Sequence, residues 1–192
     1  MKRQLVPLVL IIVAFPLAAQ EKKTAADDVM QAYIEAAKPV VQHERLRSLS
    51  GKWNMTMRFW MDPSQPPMTM NGTAIAKSVL GGRFLQLEGV TEAPLPSESI
   101  TMMGFDRRTN EYTLVGFDTL GTYYITAAGK EDAAAKAIVL RGTYKQPPSM
   151  KEQSYRFVWS SPSADEHLLR LFFALPDGKD MLVAETQYTR AR

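Results

Sequence analysis

Gly51-Lys52-Trp53-Asn54-Met55-Thr56-Met57-Arg58-Phe59 is the stretch that decides the fold. Trp53, Met55, Met57 and Phe59 alternate with Asn54, Thr56 and Arg58, the period of two that places successive side chains on opposite faces of a strand. One face is apolar and the other polar, as in an antiparallel sheet covered on one side. The same period continues downstream and predicts strands near 51–60, 68–79, 82–90, 98–105, 111–118, 121–128, 137–145, 152–160, 167–174 and 181–190. Turn-forming residues separate them, among them Asp62-Pro63, Pro66-Pro67, Gly81-Gly82, Pro94-Leu95-Pro96, Pro147-Pro148 and Pro176-Asp177-Gly178. Connections this short join antiparallel neighbours, because a parallel crossover takes about a dozen residues. The product is an all-β meander of about ten strands. A twisted sheet of that size curls or splits, and closure removes its exposed edges. A single barrel is therefore the simplest architecture. A two-sheet sandwich is the alternative, and its Greek-key crossings need a longer connection than these gaps supply.

Upstream of Gly51 the composition shifts. All eleven Gly lie between Gly51 and Gly178, and residues 24–49 contain none. Thr24 with Asp27 three residues on resembles a capping box, and Val29, Tyr33, Ile34 and Ala37 recur at helical spacing, which predicts a helix over 25–38. Pro39 interrupts it, and Val40, His43, Leu46 and Leu49 predict a second short helix. This helical arm, residues 20–49, is expected to pack on or plug a barrel formed by residues 50–192.

Residues 1–19 read as an address. Lys2 and Arg3 precede an uncharged run from Leu5 to Ala19 that ends in small residues, the layout of a cleaved signal peptide. The run is shorter than the roughly 20 residues of a membrane-spanning helix, and Pro7 and Pro16 interrupt it. The expected location is the periplasm or the medium, with no integral span left after cleavage. Cleavage removes two of the 23 Lys+Arg and none of the 20 Asp+Glu, so the formal charge falls from +3 to +1. A chain so nearly neutral, without a basic cluster, is a poor partner for nucleic acid. Cys is absent, so the fold rests on its core alone.

Gly51-x-Trp53 at the start of the first strand, with Arg190 in the closing Tyr188-Thr189-Arg190, resembles the barrel signature of the calycins, the group that includes lipocalins and fatty-acid-binding proteins. In that resemblance the Arg190 guanidinium covers the Trp53 indole where the first and last strands meet, a cation–π contact of about 0.5–2 kcal/mol. The wider pattern is His43-x-x-Leu46-x-x-Leu49-x-Gly51-x-Trp53, Gly72-Thr73, Leu80-Gly81-Gly82-Arg83-Phe84-Leu85, Gly104-Phe105-Asp106, Gly116-Phe117-Asp118 and Tyr188-Thr189-Arg190. It resembles the exported bacterial family catalogued as domain of unknown function 1579, from about Val41 to Arg192. Members commonly have Tyr where Phe105 stands and Trp near Val115 to Phe117. The resemblance implies a lipocalin-like barrel and transfers no catalytic residue.

The chemistry-bearing residues are scattered. Asp106 and Asp118 repeat in Gly-Phe-Asp triplets, but in a hairpin about Arg107 to Asn110 they fall roughly 23 Å apart at about 3.3 Å per residue. Paired glycosidase carboxylates lie about 5–9.5 Å apart, so these two do not act together. Asp118-Thr119-Leu120-Gly121 also fits a type I turn. His43 and His167 are the only histidines, and neither has metal-ligand neighbours, so no metal site is expected. Haem held through His167 stays open beside an ordinary solvated histidine, and His43 is expected to cap or pack the arm. No nucleophile elbow, phosphate loop or dinucleotide fingerprint appears.

Methionine is the suggestive excess. Seven of the eleven fall between Met55 and Met103, with Met55/Met57 and Met68/Met70 each sharing a face. Such flexible side chains suit either an adaptable apolar cavity or ordinary core filling. The first option makes Met55, Met57, Leu85 and Leu87 cavity residues, puts Arg83 on their side by parity, and offers Tyr123, Tyr155 and Tyr188 as hydroxyl donors. The resulting expectation is a non-enzymatic barrel that holds a small apolar or amphipathic molecule. Two rivals stand beside it: a barrel isomerase or hydrolase using Asp, Tyr and Arg groups, including a carboxyl of raised pKa near Arg83 or Tyr124, and an interaction module that works through the arm.

Overall fold

The computed structural model describes residues 25–192 and forms two units, one ending at Lys38 and the other running from Pro39 to Arg192. The proposed signal segment and Thr24 lie outside the described residues. In the described part of the first unit a helix, α1 (Ala25–Ala36), carries Asp27 and Asp28 in its first turn, where they favour the positive end of the helix dipole.

The second unit begins with α2 (Val41–Arg47). Ten strands follow: β1 (Gly51–Phe59), β2 (Met68–Val79), β3 (Phe84–Thr91), β4 (Ser97–Asp106), β5 (Glu111–Asp118), β6 (Tyr124–Asp132), β7 (Ala137–Gln146), β8 (Lys151–Ser163), β9 (Glu166–Ala174) and β10 (Asp180–Arg190). Each pairs antiparallel with the next, and β10 pairs with β1 to close the barrel. This is the all-β meander that the alternation predicts. Among the described residues no helix is long and apolar enough to cross a membrane.

Three boundaries differ from the sequence expectation. β3 starts at Phe84 because Leu80, Gly81 and Gly82 all have positive φ and prolong the turn. β6 starts at Tyr124 and runs to Asp132, displaced toward the C terminus by a longer turn after Asp118. β8 reaches Ser163 through an irregularity between Ser160 and Ser163.

The core follows the period of two. Trp53, Met55, Ala74, Ala76, Leu85, Leu87, Met103, Tyr112, Leu114, Leu140, Phe157, Trp159 and Tyr188 project inward and form one buried cluster. Each large side chain of this kind contributes about 1.5–3 kcal/mol by leaving water. Leu46 from α2 and Leu49 from the turn after it join the same cluster, so the second half of the arm is part of the barrel's core. His43 fixes that helix. Its Nδ1 accepts the Val40 backbone N–H at 3.0 Å, the ring meets Phe105 edge-on at 5.8 Å, and a second hydrogen bond links it to the Phe105 backbone. Arg45 pairs with Glu131, which also accepts the Tyr112 hydroxyl at 2.5 Å, fastening α2 to the β5–β6 side of the barrel.

Candidate functional site

The two ends of the barrel differ. The start of β1 and the ends of β2 and β10 lie at the end where α2 packs; the opposite end carries the end of β1 and the starts of β2 and β10. At this second end, the mouth, inward-facing residues become half-exposed. The register identifies them. Thr101 pairs with Leu87, Ser99 with Gly89 and Ser97 with Thr91, so these β4 side chains share the inner face with the core. Thr91 is buried and donates its hydroxyl to the Leu95 carbonyl at 3.0 Å, with Ser97 Oγ 2.8 Å away. This side of the mouth is polar.

The other side is apolar. Ile125 on β6, Tyr144 on β7, and Leu171 and Phe173 on β9 pack on the core while remaining partly exposed. Tyr144 meets Tyr155 at 5.8 Å, Phe173 at 5.8 Å and Tyr123 at 6.2 Å, an aromatic cluster at the rim. Ser97, Ser99 and Thr101 escape the sequence reading because they alternate with Ile100 and Met102, so the strand's apolar face points outward. Leu171 and Phe173 follow His167 at period two in the sequence, whereas no named residue points to Tyr144.

The residues named from sequence divide between the two ends. Met57 lines the mouth beneath Phe59, paired with Met70 and Thr186. Met55, Leu85, Leu87 and Tyr188 belong to the filled core. Tyr155 is buried, with its hydroxyl bonded to the backbone of Thr126. Tyr123 precedes β6 and is 48% exposed at the rim. Arg83 belongs to the β2–β3 turn at the end capped by α2, where its guanidinium donates to the Leu80 carbonyl at 3.4 Å. The parity argument does not reach it, because the strand starts one residue later. Tyr124 projects from the outer wall beside Phe117, 5.9 Å away.

The capped end is built around Trp53. Its indole N–H donates to the Leu49 carbonyl at 3.0 Å, and the Arg190 guanidinium lies 4.3 Å from its ring. Arg190 also donates to Asp165 at 2.8 Å, to the Ser50 carbonyl at 3.1 Å and to the Ala164 carbonyl at 3.0 Å. Gly51 has φ of +143°, and a Cβ there would stand 2.6 Å from the guanidinium, so this position requires glycine. On Trp53 packs the ring of His167, 4.5 Å away, and Trp159 stacks on Tyr188 at 6.1 Å. Burial first, and then the Arg190 charge, lower the His167 pKa to about 4. The ring is neutral at pH 7.

The carboxylates whose acidity shifts do so in one direction. Asp62, Glu88, Asp106 and Glu131 all depart toward greater acidity, Asp106 to about 2 through hydrogen bonds from Arg108. Asp118 accepts the Leu120 backbone N–H at 2.9 Å, holding the turn after β5. In the register Asp106 pairs with Glu111 while Asp118 pairs with Ser99, at opposite ends of the β4–β5 hairpin. No group of three or more His, Cys, Asp or Glu able to hold a metal occurs among the described residues. A solvent-facing groove of about 540 Å³ is lined by Arg141, Thr143, Ser154, Arg156, Ala174 and Asp180, on the outside of the barrel toward its mouth end.

The chain belongs to the family described as proteins of unknown function, DUF1579, whose pattern matches residues 38–190. A solved structure, Rv2717c from M. tuberculosis, is similar to it with a TM-score of 0.56 and 15% sequence identity, over 81% of this chain and 100% of that chain. At that identity the likeness concerns the fold alone. No curated protein matches the sequence significantly.

Proposed function

We propose that this barrel binds a small amphipathic molecule in its mouth, without catalysing its conversion. One observation carries the reading: inward-facing residues are buried in the lower barrel and half-exposed above it, with Ser97, Ser99 and Thr101 on one wall and Ile125, Tyr144, Leu171 and Phe173 on the other. A divided lining of this kind matches a molecule with an apolar body and one polar edge, since binding sites combine apolar surface with a few placed polar groups. The filled core limits depth. Within the lower barrel the space bordered by Trp53, Leu85, Leu87 and Tyr188 is about 10 Å³, room for roughly one water. The ligand of this reading therefore sits above Met55 and Leu87. Met57, Met68 and Met70 line the same region and supply side chains that adapt to different shapes.

The test is displacement of a fluorescent amphipathic naphthalene sulfonate by fatty alcohols and acids of increasing chain length. Ser99→Phe, which fills the polar wall, and Leu171→Lys, which charges the apolar wall, should each weaken the dye at least tenfold. Lys77→Ala, on the outer face between β2 and β3 near the capped end, should leave it unchanged. Equal dye affinity in all four proteins, each folded by circular dichroism, contradicts a mouth site.

A further inference from the structure

The capped end of the barrel, opposite the mouth, has a cavity of its own. Beneath α2 and the β8–β9 connection is a cavity of about 280 Å³, lined by Arg45, Leu46, Leu49, Trp159, Ser161 and His167 among others. This is near the lower limit of the roughly 300–1,000 Å³ typical of small-molecule pockets, a size for a molecule much smaller than a porphyrin. Trp159 and His167 also border the water-sized space below it, so the two side chains stand at the junction of both.

Three buried side-chain polar atoms lack a hydrogen-bond partner among the described residues, Ser50 Oγ, Trp159 Nε1 and His167 Nε2, and the last two belong to residues that line this cavity. Trp159 and His167 are each 4% exposed. Buried polar groups in folded proteins are nearly always bonded, and an unmet donor and an unmet ring nitrogen on two residues of one cavity lining are the exception that points to a ligand. The other ring nitrogen of His167, Nδ1, is 2.9 Å from Ser161 Oγ, which orients the imidazole and leaves Nε2 as the ring's unpartnered nitrogen.

Charge decides the ligand class. Arg45 at the cavity wall is matched by Glu131, and Arg190 behind His167 by Asp165, so the site offers no uncompensated charge to an ion. His167 is itself neutral at pH 7. Oxygen suits both orphan nitrogens: it accepts from the Trp159 N–H, and it accepts from His167 Nε2 in one tautomer or, as a hydroxyl, donates to it in the other.

We propose that the cavity under α2 is a second binding site for a small uncharged molecule, whose hydroxyl or carbonyl oxygen sits between Trp159 Nε1 and His167 Nε2. The probe set is cyclohexanol, cyclohexanone, cyclohexane and benzoate, titrated into the full chain labelled with ¹⁵N. The readouts are the Trp159 indole N–H and the His167 ring nitrogens, with Trp53 and Trp60 as internal references. Cyclohexanol and cyclohexanone should move the Trp159 and His167 signals saturably at millimolar concentration, at least tenfold more tightly than cyclohexane or benzoate. Ala164→Phe, which narrows the cavity without touching either nitrogen, should abolish the response, and His167→Gln, which keeps a polar partner, should retain part of it. Ser99→Phe at the mouth should leave it intact, so loss of either site is seen separately. The proposal is overturned if no probe moves these signals, if cyclohexane matches cyclohexanol, if the shifts survive in folded Ala164→Phe, or if the Trp159 proton exchanges only with water.

Discussion

Tyr155→Phe tests how the barrel wall is completed between β6 and β7. The ladder between these strands runs from Asp132↔Ala137 to Ala128↔Arg141 and stops there. Two residues further along β6, Thr126 would next bond β7. Instead, the Tyr155 hydroxyl takes both bonds, donating to the Thr126 carbonyl at 2.7 Å and accepting its N–H at 3.1 Å. Gly142 makes the approach possible, since a Cβ there would lie 2.2 Å from the Thr126 oxygen and 2.5 Å from the hydroxyl. Phenylalanine keeps the ring contacts with Tyr144 at 5.8 Å and Phe157 at 5.6 Å, so the substitution isolates one oxygen. It strands two peptide groups. Each costs about 1–3 kcal/mol when buried; because water reaches part of this site, the sum is about 2 kcal/mol. For a chain of this size that lowers Tm by about 4–8 °C. Urea unfolding followed by circular dichroism should show a lower midpoint with an unchanged slope. Hydrogen exchange should show the Thr126 amide losing more protection than its β5-paired neighbour Val115. A loss of stability below about 0.5 kcal/mol, with Thr126 still protected, would refute the role given to the hydroxyl.

Arg190→Ala removes the cation over Trp53 together with bonds to Asp165, Ser50 and Ala164, and should cost about 2 kcal/mol, mostly as faster unfolding; Arg190→Lys should recover less than half, because an ammonium cannot hold all three partners in one plane. A Lys variant as stable as the native protein would contradict this. The acid response should carry the signature of His167, whose folded pKa of about 4 lies below the ordinary value of 6.5. The neutral ring is favoured in the folded state, so its stability contribution is complete above about pH 6.5 and is lost as pH falls toward 4, when only the unfolded chain takes up the proton. The loss is of the order of 3 kcal/mol for this group. His43 is shifted in the same direction by burial, so His167→Gln should flatten the stability profile between pH 6.5 and 4 without abolishing its slope. An unchanged profile in that variant would show that His167 is not the group responsible.

The sequence by itself determined the barrel. Alternation from Trp53 onward sets which side chains face inward, and turns of two to eight residues, many of them marked by Pro or Gly, permit only antiparallel neighbours, so element order and topology follow from local rules. His43, Leu46 and Leu49 were likewise readable as the face of a packing helix, and they are buried against the barrel. Parity fails where a turn consumes a residue. Three consecutive positive-φ positions at Leu80 to Gly82 delay β3 and leave Arg83 in a turn, and the displaced start of β6 leaves Tyr123 on the rim. Depth along the barrel is also invisible in an alternating pattern. Leu87 in the filled core and Leu171 in the half-open mouth have the same period and the same chemistry, and only closure of β10 on β1 sets how far each lies from solvent. The meeting of Trp159 with His167 beneath α2 has the same origin. Both come from strands whose sequence looks ordinary, and the cavity beside them exists because a helix some 110 residues earlier in the chain lies across that end and not the other.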